Sequence, residues 1–177
     1  MKEFDVEIEG IRGLLMHSPQ GMTDESTKRQ SGKPDYSQEA EKAIYRSEDG
    51  TIFVPASWIE GTLRRGSTNF KIPGRGKKTY KDLMLSSVEV DPSEIKINPQ
   101  KYEIDARSVN VVRQRIIRYR PIFKKWKLNF KIRVLDDQVD ATALKEILDY
   151  AGSYVGIGDY RPKFGLFKVN TFKECDK

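Results

Sequence analysis

The chain has one cysteine and one histidine among its 177 residues. Cys175 alone excludes a disulfide framework and a cysteine-built metal cluster. His17 alone leaves no second histidine to serve as acid if it serves as base. No apolar run approaches the ~18 residues of a membrane-spanning helix. The longest candidate, Gly13-Leu-Leu-Met16, is trivial. Met1-Lys-Glu-Phe-Asp5 lacks the basic-then-apolar layout of a signal peptide. A cytoplasmic protein without membrane contact is the expectation. A P-loop, a nucleophile elbow and zinc-ligand spacing are missing too.

Charge is what the chain has in quantity. Charged residues make up 33% of it and hydrophobic residues 37%, enough for one core. Its length suits one domain over residues 1–177, with insertions expected at about 18–54 and 71–105. The net charge is +6, and its distribution is uneven. Between Lys101 and Leu135 eleven basic residues face only Glu103 and Asp105, so this stretch carries +9 and the rest about −3. Positive charge gathered in one structural unit is the footprint of a nucleic-acid surface.

Phe4-Asp-Val6-Glu-Ile8-Glu9 alternates strictly and predicts a half-buried strand. Gly10 and Gly13 suggest a bend, and the polar stretch 18–36 a long loop of the kind that is functional or disordered. Short elements follow: a helix from Ser37, a hairpin around Glu48-Asp49-Gly50, a helix from Trp58 to about Ser67, and a short helix near 79–85. Val88–Val90 and Ile95–Ile97 flank Asp91-Pro-Ser93 and predict a projecting hairpin. Residues 103–119 predict a long strand or strand pair, with a bulge near Val111-Val112. Trp126–Val134 is the cleanest strand, 141–151 an amphipathic helix, and 164–170 the last strand. Without the insertions the order is strand, helix, strand (107–119), strand (125–135), helix, strand. That is the α+β, ferredoxin-like βαββαβ order, an antiparallel sheet with helices on one face. RRM-type proteins use the other face for RNA.

Side chains alternate along the Trp126–Val134 strand. Trp126, Leu128, Phe130, Ile132 and Val134 point to the core, and Lys125, Lys127, Asn129, Lys131 and Arg133 point away. Asp5, Glu7 and Glu9 on the adjacent first strand are positioned to neutralise part of that row. The expected contact surface therefore shifts to Arg107, Arg113, Arg115, Arg118 and Arg120, whose forks suit phosphate, with Tyr119 for base stacking. The alternative is a solubilising strand edge.

Gly152-Ser-Tyr-Val-Gly156-Ile-Gly158-Asp-Tyr-Arg161-Pro-Lys163-Phe-Gly165-Leu-Phe167 joins the second helix to the last strand. It reads either as a connector, with Gly152 as the helix C′ cap, or as a phosphate cradle. In the cradle, Gly156 and Gly158 let the backbone approach while Arg161 and Lys163 supply charge.

Phe53-Val-Pro55-Ala-Ser57-Trp-Ile-Glu-Gly61-Thr-Leu63-Arg64 resembles the strand–Pro-x-Ser–helix motif of RAMP-superfamily proteins, which include CRISPR effector backbone subunits. Gly156–Phe167 resembles their glycine-rich loop before the last strand. The likeness implies a ferredoxin-like fold and binding of a single strand through Ser57, Arg64, Arg65 and the loop. On the residues themselves, Ser57 is placed to cap the helix and Gly61 to allow close helix-to-sheet packing. Asp159 and Pro162 depart from the pattern, as does the short chain, and small phage or mobile-element proteins of this fold are similar.

The reading is a single-stranded nucleic-acid-binding protein, RNA favoured over DNA through the resemblance. Copies would assemble along a guide or other strand in a CRISPR-like or phage ribonucleoprotein, with other effector-complex subunits as further partners. No cofactor or metal is expected. The alternatives are an endoribonuclease using His17, or loop aspartates Asp24 and Asp35 with a metal, and a phage single-stranded DNA-binding or protein-interaction module.

Overall fold

The computed structural model describes residues 1–19, 36–111 and 114–175. Its main sheet is antiparallel. β1 (Lys2–Gly10) lies between β8 (Lys127–Val134) and β9 (Phe167–Glu174). Beyond β8 come β4 (Val88–Asp91) and β5 (Glu94–Asn98), and β5 also pairs with the short β3 (Phe53–Pro55). The alternation in β1 and β8 does what the sequence implies. Phe4, Val6, Ile8, Leu128, Phe130, Ile132 and Val134 are all buried on one face.

Two helices supply the other half of that core. α2 (Ala56–Gly66) contributes Ile59 and Leu63, and α4 (Ala141–Tyr150) contributes Leu144, Ile147 and Leu148. Asp140 caps α4, its carboxylate accepting the Ala143 amide at 2.8 Å. The smaller α1 (Tyr36–Lys42) and α3 (Lys81–Ser87) lie outside this frame. The fold is α+β and ferredoxin-like, with both principal helices on one sheet face.

The second strand of the ferredoxin order is not where the sequence placed it. It is β4–β5, not residues 107–119. Asp91-Pro92-Ser93 reads as a hairpin turn, yet β4 and β5 both pair with β8. The segment is one strand along β8, interrupted by a bulge, with β3 paired to the outer side of its second half. The projecting hairpin is instead β6 (Glu103–Val111) with β7 (Gln114–Phe123), joined to β2 (Leu14–Leu15) in a second sheet.

Two local expectations also change. Pro55, not Ser57, occupies the N-cap of α2, and no side chain caps it. Gly61 is exposed, and a Cβ there would meet nothing within 4 Å. The glycine that brings α2 close to its neighbour is Gly66, whose added Cβ would sit 3.0 Å from Ala151 Cβ. α4 runs on into a π turn, Ala151–Val155, closed by Gly156 at φ +72°. Gly156, rather than Gly152, ends the helix.

Candidate nucleic-acid interface

The open face of the sheet neutralises itself. Lys131 Nζ lies 2.6 Å from Glu3 Oε1, and Arg133 Nε 3.0 Å from Glu3 Oε2. Arg133 also reaches Asp91 at 3.2 Å. Lys168 pairs with Glu9 at 3.1 Å, and Lys127 stands 3.8 Å from the same carboxylate. The hydrogen bonds from Lys131 and Arg133 hold the Glu3 carboxyl below its ordinary value. A strand binding here would have to displace these partners.

The glycine-rich segment is tied to the rest of the fold from two sides. Thr62, buried on α2, donates its hydroxyl to the Gly156 carbonyl at 2.7 Å. The Asp159 amide donates to the Leu15 carbonyl at 2.9 Å. A Cβ on Gly158 would lie 2.5 Å from Leu14 Cδ1 and 2.6 Å from that same Leu15 oxygen. The bare Cα atoms thus admit the protein's own chain.

Asp159 links this segment to the hairpin. Its carboxylate accepts from Arg120 of β7 and from the Tyr160 amide at 2.8 Å, and His17 Nδ1 stands 3.7 Å away. Contacts with His17 and Arg120 hold its carboxyl well below the usual carboxylate range. Arg120 is the firmer partner, because 3.7 Å is long for a hydrogen bond. Asp159 had looked out of place in a phosphate loop, and it serves as the counter-ion of a buried arginine.

The predicted arginines of the hairpin are partly engaged. Arg107 Nε meets Asp105 at 2.6 Å, and its guanidinium lies 4.6 Å over the Phe164 ring. Arg118 meets Glu39 of α1 at 3.3 Å. Arg115 donates to the neutral Ser108 hydroxyl at 2.6 Å and forms no ion pair among the described residues. Arg113, Asp24 and Asp35 lie outside the described residues.

Positive charge without a carboxylate partner collects beside the loop. Arg64 and Arg65 are exposed near the C-terminal end of α2 and form no ion pair among the described residues. Arg161 extends toward the same helix, 3.5 Å from the Thr62 hydroxyl. Partial burial, and then the nearby Arg65 charge, lower the Arg161 pKa. Lys163 sits over the Tyr160 ring at 5.9 Å. Ser57 is exposed on the first turn of α2, and Lys125 lies in the turn before β8. Arg161 thus stands near Arg65 and Thr62 of α2, and the adjacent Tyr160 lines one groove with Arg107, Arg115 and Arg120.

Sequence reasoning missed Thr62, Tyr160 and Phe164. A polar residue among the buried helical positions 59, 62, 63 and 66 was the available signal for Thr62. Tyr160 and Phe164 gave none, since the folded loop alone stacks their rings, 5.8 Å apart.

No family model matches the chain, and no curated protein matches it. Among solved structures, one chain of the cryo-EM structure of the Type III-B Cmr-beta bound to cognate target RNA is similar. The TM-score is 0.61 at 14% identity, over 99% of this chain and 61% of that one. The two share a fold. The present chain spans about three-fifths of that neighbour's length.

Proposed function

We propose that the chain is a single-stranded nucleic-acid-binding protein of RAMP-like fold, with RNA its favoured ligand. It acts as one domain, and copies line up along a guide or other strand within a ribonucleoprotein of CRISPR-like or phage type. One observation carries this reading: among the described residues, Arg64, Arg65, Arg161 and Lys163 beside the glycine-rich segment, and Arg115 on the hairpin, form no ion pair with a carboxylate, while the open sheet face cancels its own charge. Such arginine forks suit phosphates. The fold likeness to a chain of an RNA-bound assembly supports RNA as the strand.

The test is fluorescence anisotropy with a labelled 30-nucleotide RNA, the same sequence as DNA, and the duplex. The single strands bind, RNA more tightly, and Arg65→Ala with Arg161→Ala weakens both. Equal affinity of wild type and double variant, or preference for duplex, overturns the proposal. Strand cleavage by wild type that His17→Ala abolishes would instead favour an endoribonuclease, with His17 standing 3.7 Å from the Asp159 carboxylate.

A further inference from the structure

The groove between hairpin β6–β7 and the glycine-rich segment has a volume of about 850 Å³, within the range of sites that hold small ligands. Arg107, Ser108, Arg115, Arg120 and Tyr160 contribute to its walls. We infer that it takes a single nucleotide of a bound strand, the phosphodiester on Arg115 and Arg120 and the base against Tyr160. This rests on the strand-binding reading above.

Three observations converge on that ligand. The first is an orphan donor. Arg120 is only 7% exposed, and its buried Nε finds no hydrogen-bond partner among the described residues. An unpaired buried donor is costly, so native structures rarely leave one without reason. The atom is closed to solvent, so an anionic oxygen in the groove would satisfy it once the Arg120 side chain turns outward.

The second is charge. Among the described residues that line the groove, three guanidinium groups stand against the two carboxylates that pair with Arg107 and Arg120, leaving the charge of Arg115. A single phosphodiester carries the matching charge, whereas a terminal phosphate carries about −1.5 to −2.

The third is an aromatic platform. Tyr160 is 52% exposed, with Phe164 stacked on its ring at 29°. Its backbone is held at φ +56°, a conformation unfavourable for tyrosine. A base can stack on the exposed ring with little regard to its identity. A base paired within a duplex cannot reach it.

The probe is a dinucleoside monophosphate, which has one phosphodiester and no terminal phosphate, titrated into ¹⁵N-labelled protein by NMR. Amide shifts are expected at Ser108, Arg115 and Tyr160. Tyr160→Ala should weaken binding about 5- to 150-fold, the worth of one stacked base, while Tyr160→Phe keeps it. Arg115→Gln, on an exposed side chain, should weaken it in a protein that remains folded. The inference fails if no shifts occur up to 10 mM (roughly the weakest binding worth counting, about 3 kcal/mol). It also fails if the shifts lie elsewhere, if Tyr160→Ala binds within twofold of wild type, or if inorganic phosphate binds equally well. The 30-nucleotide RNA is measured in parallel. RNA that binds while the dinucleotide does not removes the groove assignment alone. A dinucleotide that binds where the RNA does not removes the strand reading and leaves a nucleotide site.

Discussion

Gly165 and Gly61 answer to different demands. Gly165 has φ +75°, and a Cβ there would overlap the Ile157 carbonyl oxygen. Gly165→Ala should destabilise by about 3 kcal/mol or more, combining left-handed strain with a forced backbone shift. Gly61 lies inside α2 with open space around its Cα. Gly61→Ala should stabilise by ~0.5–1 kcal/mol, because alanine is the better helix former. Urea unfolding of both variants checks the pair, and a stable Gly165→Ala would show that the loop backbone is not held as described. Asp159 makes a pH-dependent claim. Its pKa is depressed in the fold, so its stabilisation is full above the ordinary carboxylate value of ~3.9 and is lost as pH falls through the folded value. Asp159→Asn strands Arg120. A broken buried pair costs ~3–5 kcal/mol, reduced here to about 2–3 because the Asp159 side chain is 35% exposed. The gap between wild type and variant should narrow from pH 6 to pH 2.5. A gap independent of pH would refute the ion-pair account.

At the scale of elements, two sets of cations differ in what they face. Lys131 and Arg133 on β8 are held by Glu3, and Lys127 stands near Glu7 and Glu9. Arg65, Arg161 and Lys163 beside the glycine-rich segment have no carboxylate of that kind among the described residues. Replacing Lys127, Lys131 and Arg133 together by Gln should leave RNA affinity within about threefold, since a strand gains little from charges already paired. Replacing Arg65, Arg161 and Lys163 by Gln should cost at least tenfold. Anisotropy titrations of the two triple variants decide it, and an equal loss in both would return the binding surface to the sheet face. The β6–β7 hairpin is less sensitive at its edge. Ile117 is 58% exposed, and Ile117→Lys should change unfolding stability by no more than ~0.5 kcal/mol.

For the whole molecule, the sequence disclosed the parts whose physics is local. Strict alternation marked β1 and β8, helical periodicity marked α4, and the Pro55-Ala-Ser57 opening marked α2. The second sheet strand escaped because Asp91-Pro-Ser93 has turn chemistry, and only pairing of both flanks with β8 keeps the chain running alongside it. The charge on β8 and its neutralisation by the first strand were legible, since cross-strand neighbours follow from topology, but the close partners of Lys131 and Arg133 are Glu3 and Asp91 rather than Asp5, Glu7 and Glu9. The pairs Arg120–Asp159 and Arg118–Glu39 were not, because tertiary packing alone brings them together from distant parts of the chain. The claim that remains central is electrostatic capture of a single strand. About three phosphate contacts, at Arg65, Arg161 and Arg115, imply a salt slope near −2 and an affinity loss of about 20-fold between 50 and 200 mM salt. Anisotropy of the labelled RNA across that salt series is the most direct test. A fall of that order supports the account, and absence of binding at 50 mM, or binding indifferent to salt, contradicts it.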